Sequence, residues 1–418
     1  MSEPITVSVV LPSGDEDVAG VLRATNVRRT ESATFTYAPE YLANPRSYPI
    51  DPDLPLVDWP IHTAHRALFR CMEDSTPDRW GRALLDRKAR GIARLARQHK
   101  PTMLEIDYLL GVRDDVRQGA LRFARANEGP VAVDNEAVPR IVALESLLAL
   151  TDDMLRDPNL DEDLRDLIAA GSSLGGARPK ASVIDDDGEL LIAKFPKADS
   201  DNWDVPSWEK LTLDLAGRAG ITVPDNRLIR VANRNVLLLK RFDRVGARRV
   251  GYISAITLTQ TSDGVHTVGQ VDVADFLEPL ATDPDRDLPQ LFRRALFGLL
   301  VSNTDNHLRN IGFLRHETGW ELSPAFDINP NPEPSVFATT VGSGGAEPDS
   351  IADALDWAEY FRLTSSEALD ILAQIVDSTA AWRRAAKALD INPAEISRMI
   401  PAFESSRTIE ARQLITGH

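Results

Sequence analysis

The chain has 418 residues, of which 43% are hydrophobic, enough to bury large cores in two or three packed globular units. Lys and Arg total 47 against 63 Asp and Glu, a net charge of −16, and a surface of that sign repels phosphate backbones, which argues against direct, unaided DNA binding. The single cysteine, Cys71, excludes an intramolecular disulfide and a thiolate zinc cluster, and fits a reducing compartment.

The opening stretch MSEPITVSVVLPSG carries no basic leader, and no segment approaches the length of a membrane span, so a cytoplasmic location without membrane partners is expected. ITVSVV at 5–10, then GVLRA and ATFTYA, read as short strands parted by the turn-rich PSGDED and NVRRTES. From His62 to Arg97 the apolar spacing becomes helical, with arginines on the other face, and a domain boundary is placed near residue 100. Residues 142–169 read as one or two helices. Next comes GSSLGGARPKASVIDDDGELLIAKF, in which a glycine-rich loop leads into a hairpin of ASVI and ELLIAKF turning at DDDG.

PSWEKLTLDLAGRAGI then sets Trp208, Leu211, Leu215 and Ala219 on one helical face, with Ser207 as the expected N-cap and Gly220 as the stop. NVLLLKRFDR is a buried strand ending in charge. LPQLFRRALFGLLVS is amphipathic, with Leu291, Ala295 and Leu299 on one side, and residues 350–410 hold several more such helices. Between these regions IGFLRHETGWELSPAFD makes a further hairpin that turns at His316 to Gly319. The expected fold is α+β and protein-kinase-like: a β-rich domain at 1–100, an N-lobe at 101–245 and a mostly helical C-lobe at 246–418.

The chemistry gathers around NTDNHLRNIG at 303–312, where an apolar lead-in suggests a buried helix yet an acid and amides follow at once. Folding the hairpin about its turn sets Asn310 opposite Ala325 and returns Asp327 beside the 305–310 loop. An amide and a carboxylate with open positions suit Mg²⁺ when substrate phosphates complete its shell. Asp305, five residues before Asn310, is then placed to accept a proton, which is the layout of the protein-kinase catalytic loop and its distal acid.

Upstream, Lys194 ends an apolar strand and Glu209 lies on the next helix, positioned to pair with it. Taken singly each has a commoner structural reading: a polar turn, a snorkelling lysine, a first-turn acid. In order, the glycine-rich loop, strand lysine, helix glutamate, Asp/Asn loop and distal Asp point to a phosphotransferase using ATP and Mg²⁺.

Other features weigh less. No His-Arg-Asp precedes the loop, Ile328 stands where a DFG glycine would, and no Ala-Pro-Glu follows. The loop SSLGGARPK is neither G-x-G-x-x-G nor a Walker A. The seven histidines lack zinc spacing, although His62 and His65 are read on one helical face. The run KRFDRVGARR at 240–249 faces ATP, a phosphorylated loop, an acidic substrate or simply solvent.

The stretches SSLGGARPK, LLIAKFP, WEKLTLDLAGRAGITVPD, LLLKRFDR, TDNHLRN and LSPAFDI resemble the HipA-type serine/threonine kinases, toxin components of bacterial type II toxin–antitoxin pairs, and FTYAPEYLAN and TPDRWGRALL are similar to that family's small N-terminal domain. The resemblance implies that Lys194 contacts the ATP phosphates with Glu209 in support. It also implies a phosphate loop containing Gly175, Gly176 and Lys180, and a hinge around adenine at Lys240, Arg241 and Phe242. Asp305 would be the catalytic base, Asn310 and Asp327 the Mg²⁺ ligands, and Ser173 or its neighbour Ser172 the autophosphorylated serine.

The implied partners are a helix-turn-helix antitoxin, through which DNA is met only indirectly, and a protein substrate of the aminoacyl-tRNA synthetase kind. Two other readings stand beside this one: a small-molecule kinase of the aminoglycoside or choline type, and a catalytically silent antitoxin-binding protein.

Overall fold

A computed structural model describes residues 3–125, 138–156, 178–197, 201–264, 267–345 and 350–416. The chain divides into two compact units. One comprises Met1–Ser200, Arg230–Arg234 and Leu238–Ile253, the other Asp201–Ile229, Asn235–Leu237 and Ser254–His418.

The first unit opens with a five-stranded sheet in the order β4-β3-β2-β1-β5, built from β1 (Ile5–Val10), β2 (Glu16–Val27), β3 (Thr30–Tyr37), β4 (Ile61–His62) and β5 (Leu121–Arg125). Alternation along β1 sends Ile5, Val7 and Val9 into the core and leaves the residues between them half-exposed, the period-two pattern of a sheet covered on one face. The turn-rich reading of NVRRTES is corrected here. Strands β2 and β3 run on to Val27 and from Thr30, and Arg28 and Arg29, at φ 54° and 68°, make the connection alone. Strand β5 pairs antiparallel with β1, so the sheet draws on chain beyond residue 100.

The helical pattern between His62 and Arg97 is also interrupted. His62 lies in β4 with its Nδ1 2.8 Å from Thr34 Oγ1, so it shares no helical face with His65. The long helix Arg79–Leu95 starts only after Pro77, with Asp78 as its cap. Cys71 is buried, as its apolar neighbours imply, and burial pushes its thiol up, beyond the ordinary range of a reactive cysteine.

The second hairpin forms as read. Strands β6 (Lys180–Ile184) and β7 (Leu190–Lys194) pair in register around a turn that needs Gly188 at φ 83°. With β8 (Asn226–Val231) and β9 (Arg234–Lys240), both shared between the units, they form a sheet in the order β6-β7-β9-β8.

The second unit is mostly helical. In the helix Val205–Arg218, Trp208, Leu211 and Leu215, with Ala219 just past its end, are all fully buried on the expected face. Its N-cap is Asp204 rather than Ser207. The Asp204 carboxylate accepts the Ser207 N–H and hydroxyl, because a carboxylate one turn earlier reaches the unpaired first-turn donors that Ser207, already helical, cannot. Gly220, at φ 78°, ends the helix as anticipated. Trp208 packs against Phe403, which stacks on Trp382 at 4.8 Å, tying this helix to the C-terminal ones. Among the described residues no helix is long and apolar enough to cross a membrane.

Candidate active site

The second unit carries Asp305, Asn310 and Asp327, and the ordering of their loops starts with the helix Pro284–Leu300. Leu288, Leu291, Phe292, Leu296 and Leu300 fill the core. The helix ends in a Schellman turn made by a serine: Ser302 adopts φ 53°, its N–H donates to Leu299 O and the Asn303 N–H to Gly298 O. The left-handed residue reverses the chain and delivers it to the surface. Asn303 and Thr304 stay buried at 5% and 8% exposure, but the Asp305 side chain emerges at 82%, so the acid sits at the rim of the apolar layer rather than within it.

From there the loop closes on itself. The Asp305 carbonyl accepts the His307 N–H at 2.9 Å and the Asn310 side-chain Nδ2 at 3.0 Å, and the short turn Leu308–Asn310 is pinned by the buried Leu308. Because Asn310 spends its amide nitrogen on that carbonyl, its Oδ1 is the atom left for a cation. Partial loss of water raises the Asp305 carboxyl above the usual carboxylate range, the nearby His307 opposes the rise, and the negative charge of Asp327 adds to it. The His307 Nε2 lies 3.9 Å from Asp305 Oδ1.

That influence of Asp327 on Asp305 is the consequence of the hairpin. Strands Gly312–Arg315 and Trp320–Leu322 pair Phe313 with Leu322 and Arg315 with Trp320; beyond that pairing Asn310 lies in the short turn before the first strand, and the Ala325 N–H donates to Thr222 O. Asp327 holds a left-handed φ of 58°, a conformation that Asp tolerates better than most side chains and that recurs where a functional group must be aimed. The next carbonyl, Ile328 O, accepts the buried Thr212 hydroxyl at 2.5 Å. Thr212 lies one turn beyond the buried Glu209, so the Glu209 helix and the Asp327 segment are joined inside this unit.

An amide oxygen, a carboxylate and a neighbouring acid whose charges repel one another suit a small hard cation. Among the described residues no group of three or more His, Cys, Asp and Glu could hold a metal, so the fit rests on the Asn310 and Asp327 pair.

Other assigned residues lie in the first unit. Lys194 ends β7 half-buried, with Lys180 directly opposite in the register. Lys180 is ion-paired within its own unit. Its ammonium is buried 2.7 Å from Asp78 Oδ2, with both side chains 5% exposed or less, and its carbonyl accepts the Trp80 indole N–H. Two lysines opposed on one sheet face repel, and Asp78 neutralises the inner one.

Arg241 is turned inward. Its side chain is fully buried against Asp243, at 2.6 Å, and the Val116 carbonyl, while its backbone N–H donates to Leu190 O. Lys240 reaches Glu189 at 3.1 Å, and Phe242 packs against Tyr252. The basic run 240–249 is therefore largely internal: Arg241 and Arg244 share Asp243, and Arg249 pairs with Asp114 at 3.0 Å. Ser172, Ser173, Gly175 and Gly176 lie outside the described residues.

Residues 172–383 match the model of the HipA-like C-terminal domain, and residues 14–104 match that of the HipA N-terminal domain. A Haemophilus influenzae protein described as a putative kinase is 23% identical across 50% of this chain and 68% of its own length. Among solved structures, the Shewanella oneidensis MR-1 toxin–antitoxin complex of HipA, HipB and operator DNA includes a chain that aligns with a TM-score of 0.57 at 16% identity, covering 98% of this chain and 95% of that one. The Helicobacter pylori proinflammatory kinase CtkA aligns at a TM-score of 0.40 and 15% identity over 57% of this chain and 93% of its own. Over almost its whole length the α+β fold matches that of the Shewanella HipA chain.

Proposed function

The chain belongs to the HipA-like C-terminal domain family, and from that premise we propose that it is an ATP-dependent serine/threonine protein kinase. The observation that carries the reading is that Asp305 and Asp327, on the two arms of one hairpin, lie close enough for the charge of one to bear on the other, with Asn310 bonded to the Asp305 carbonyl.

In this mechanism Asp305, exposed and raised above an ordinary carboxylate, orients a substrate hydroxyl and takes its proton as the phosphoryl group is transferred. Asn310 and Asp327 would hold Mg²⁺, which when bound screens the charge of the phosphates. Lys194 steadies the phosphates and Glu209 supports it, with the backbone around Lys240 to Phe242 beside the adenine. The Arg241 side chain also holds the hinge in place through Asp243, and Lys180 is tied to Asp78 at the base of the phosphate loop.

Regulation by phosphorylation of Ser173 or Ser172, a helix-turn-helix antitoxin as partner, a cytoplasmic setting and a synthetase-class protein substrate complete the proposal. The HipA and HipB pairing in the Shewanella complex supports the antitoxin as partner.

The test is incubation of the purified chain with Mg²⁺ and ATP, followed by intact mass and peptide mapping. One added phosphate on Ser172 or Ser173, absent in Asp305→Ala, is the expected result. Phosphate passing to small metabolites with no protein labelled would assign the chain to the small-molecule kinases, and nucleotide binding without any transfer would make it a silent binding protein.

A further inference from the structure

The polar residues on either side of Asp305 and Asp327 that the proposed chemistry leaves unused are bonded to one another. Asn303 Oδ1 accepts the Asn329 N–H at 3.2 Å, and Ser302 O accepts the Asn331 N–H at 3.1 Å. The Asn331 side-chain Nδ2 donates to Thr304 Oγ1 at 2.8 Å, and the Thr304 carbonyl accepts the Ala338 N–H at 2.9 Å. Asn331 Oδ1 in turn accepts the Glu333 N–H at 2.9 Å, which fixes the orientation of its amide.

The segment that supplies all of these donors except Ala338 is the proline-spaced NPNPEP at 329–334. Pro330, Pro332 and Pro334 have no N–H to offer and a locked φ, so the donors between them sit on a stiffened backbone. Of those, Asn329 and Asn331 both turn to the loop that presents Asp305.

The two acids sit on separate segments, and these bonds oppose drift of one against the other. A phosphoryl-transfer site tolerates only about 0.5 Å of such drift. We propose that Asn331, acting through Thr304, is a positioning residue that braces the Asp305 loop against the Asp327 segment and so presets the spacing a bound cation and nucleotide require. The inference rests on the kinase reading for its effect on rate, but not for the brace itself.

The test compares Asn331→Ala, Thr304→Val, the double variant and Thr304→Ser. Each single variant is expected to lower kcat about tenfold with the KM for ATP within about twofold, and the double to be no worse than Asn331→Ala, which already removes the bond that Thr304→Val breaks. Thr304→Ser keeps the hydroxyl and is expected to restore the rate. In Asn331→Ala without nucleotide, amide exchange across 305–310 is expected to quicken about tenfold.

Wild-type kcat in Asn331→Ala, strictly additive losses, or a defect confined to the KM for ATP would overturn the brace. If the wild type itself transfers no phosphate, the kinase reading fails. The brace then stands or falls on amide exchange alone, an unchanged rate at 305–310 sinking it.

Discussion

Asp243 and Asp305 each follow an apolar element by a few residues, yet the protein treats them oppositely. Burial alone would push the Asp243 carboxyl up, but Arg241 and Arg244 beside it, with the Gly119 N–H, overcome that and hold it well below the usual carboxylate range. Asp305 is raised by partial loss of water, with Asp327 adding to the rise and His307 opposing it. The same functional group is thus a structural counter-ion in one place and, in the proposed mechanism, the proton acceptor in the other. What separates them is the charge of their neighbours and their access to solvent.

The largest effect that sharpens this contrast is expected from Asp305→Asn. Phosphotransfer should fall about 10³-fold, the scale of a positioned general base, while urea unfolding stays at the wild-type midpoint. Asp243→Ala should do the reverse. Removing the carboxylate strands the Arg241 guanidinium in the core, and a loss of about 3–5 kcal/mol of unfolding free energy is expected.

The Asp243 contribution has a definite pH sign. A carboxyl whose folded pKa is depressed gives stability that is present above its unfolded value of about 4 and is lost as pH falls below it. Wild type should therefore lose its advantage over Asp243→Ala below about pH 4, read by unfolding at a series of pH values. A smaller effect, about 1 kcal/mol, is expected from Thr212→Val, which leaves Ile328 O without its hydroxyl partner. The smallest belongs to His307→Gln. It removes the influence that lowers the Asp305 pKa, so the acid limb of kcat/KM should move to higher pH.

The two regions also differ in how far the sequence revealed them. The Asp305 site was largely legible because its geometry is local. A hairpin turn at His316 to Gly319 determines which residues face each other, and the register the turn implies is the one observed. The helix face of Trp208, Leu211 and Leu215 and the stop at Gly220 follow from period and chirality in the same way.

The Asp243 region was not legible, since although Asp243 lies within the basic run, what takes 240–249 inside is Asp114 and the carbonyls of Val116 and Arg117, more than a hundred residues away in sequence. The ion pair of Lys180 was hidden for the same reason: its partner Asp78 comes from a helix cap distant in the chain. Thr212, Asn303 and Asn331 carry no motif and are found only once the loops they join are placed.

The measurement that tests the central claim most directly is transfer of labelled γ-phosphate from Mg²⁺-ATP to protein by wild type and Asp305→Asn, with ATP affinity measured for both by calorimetry. Labelling by wild type, its loss in Asp305→Asn and equal ATP affinity are the result this account requires. Equal labelling by the two proteins would contradict it, because Asp305 would then have no part in moving the proton.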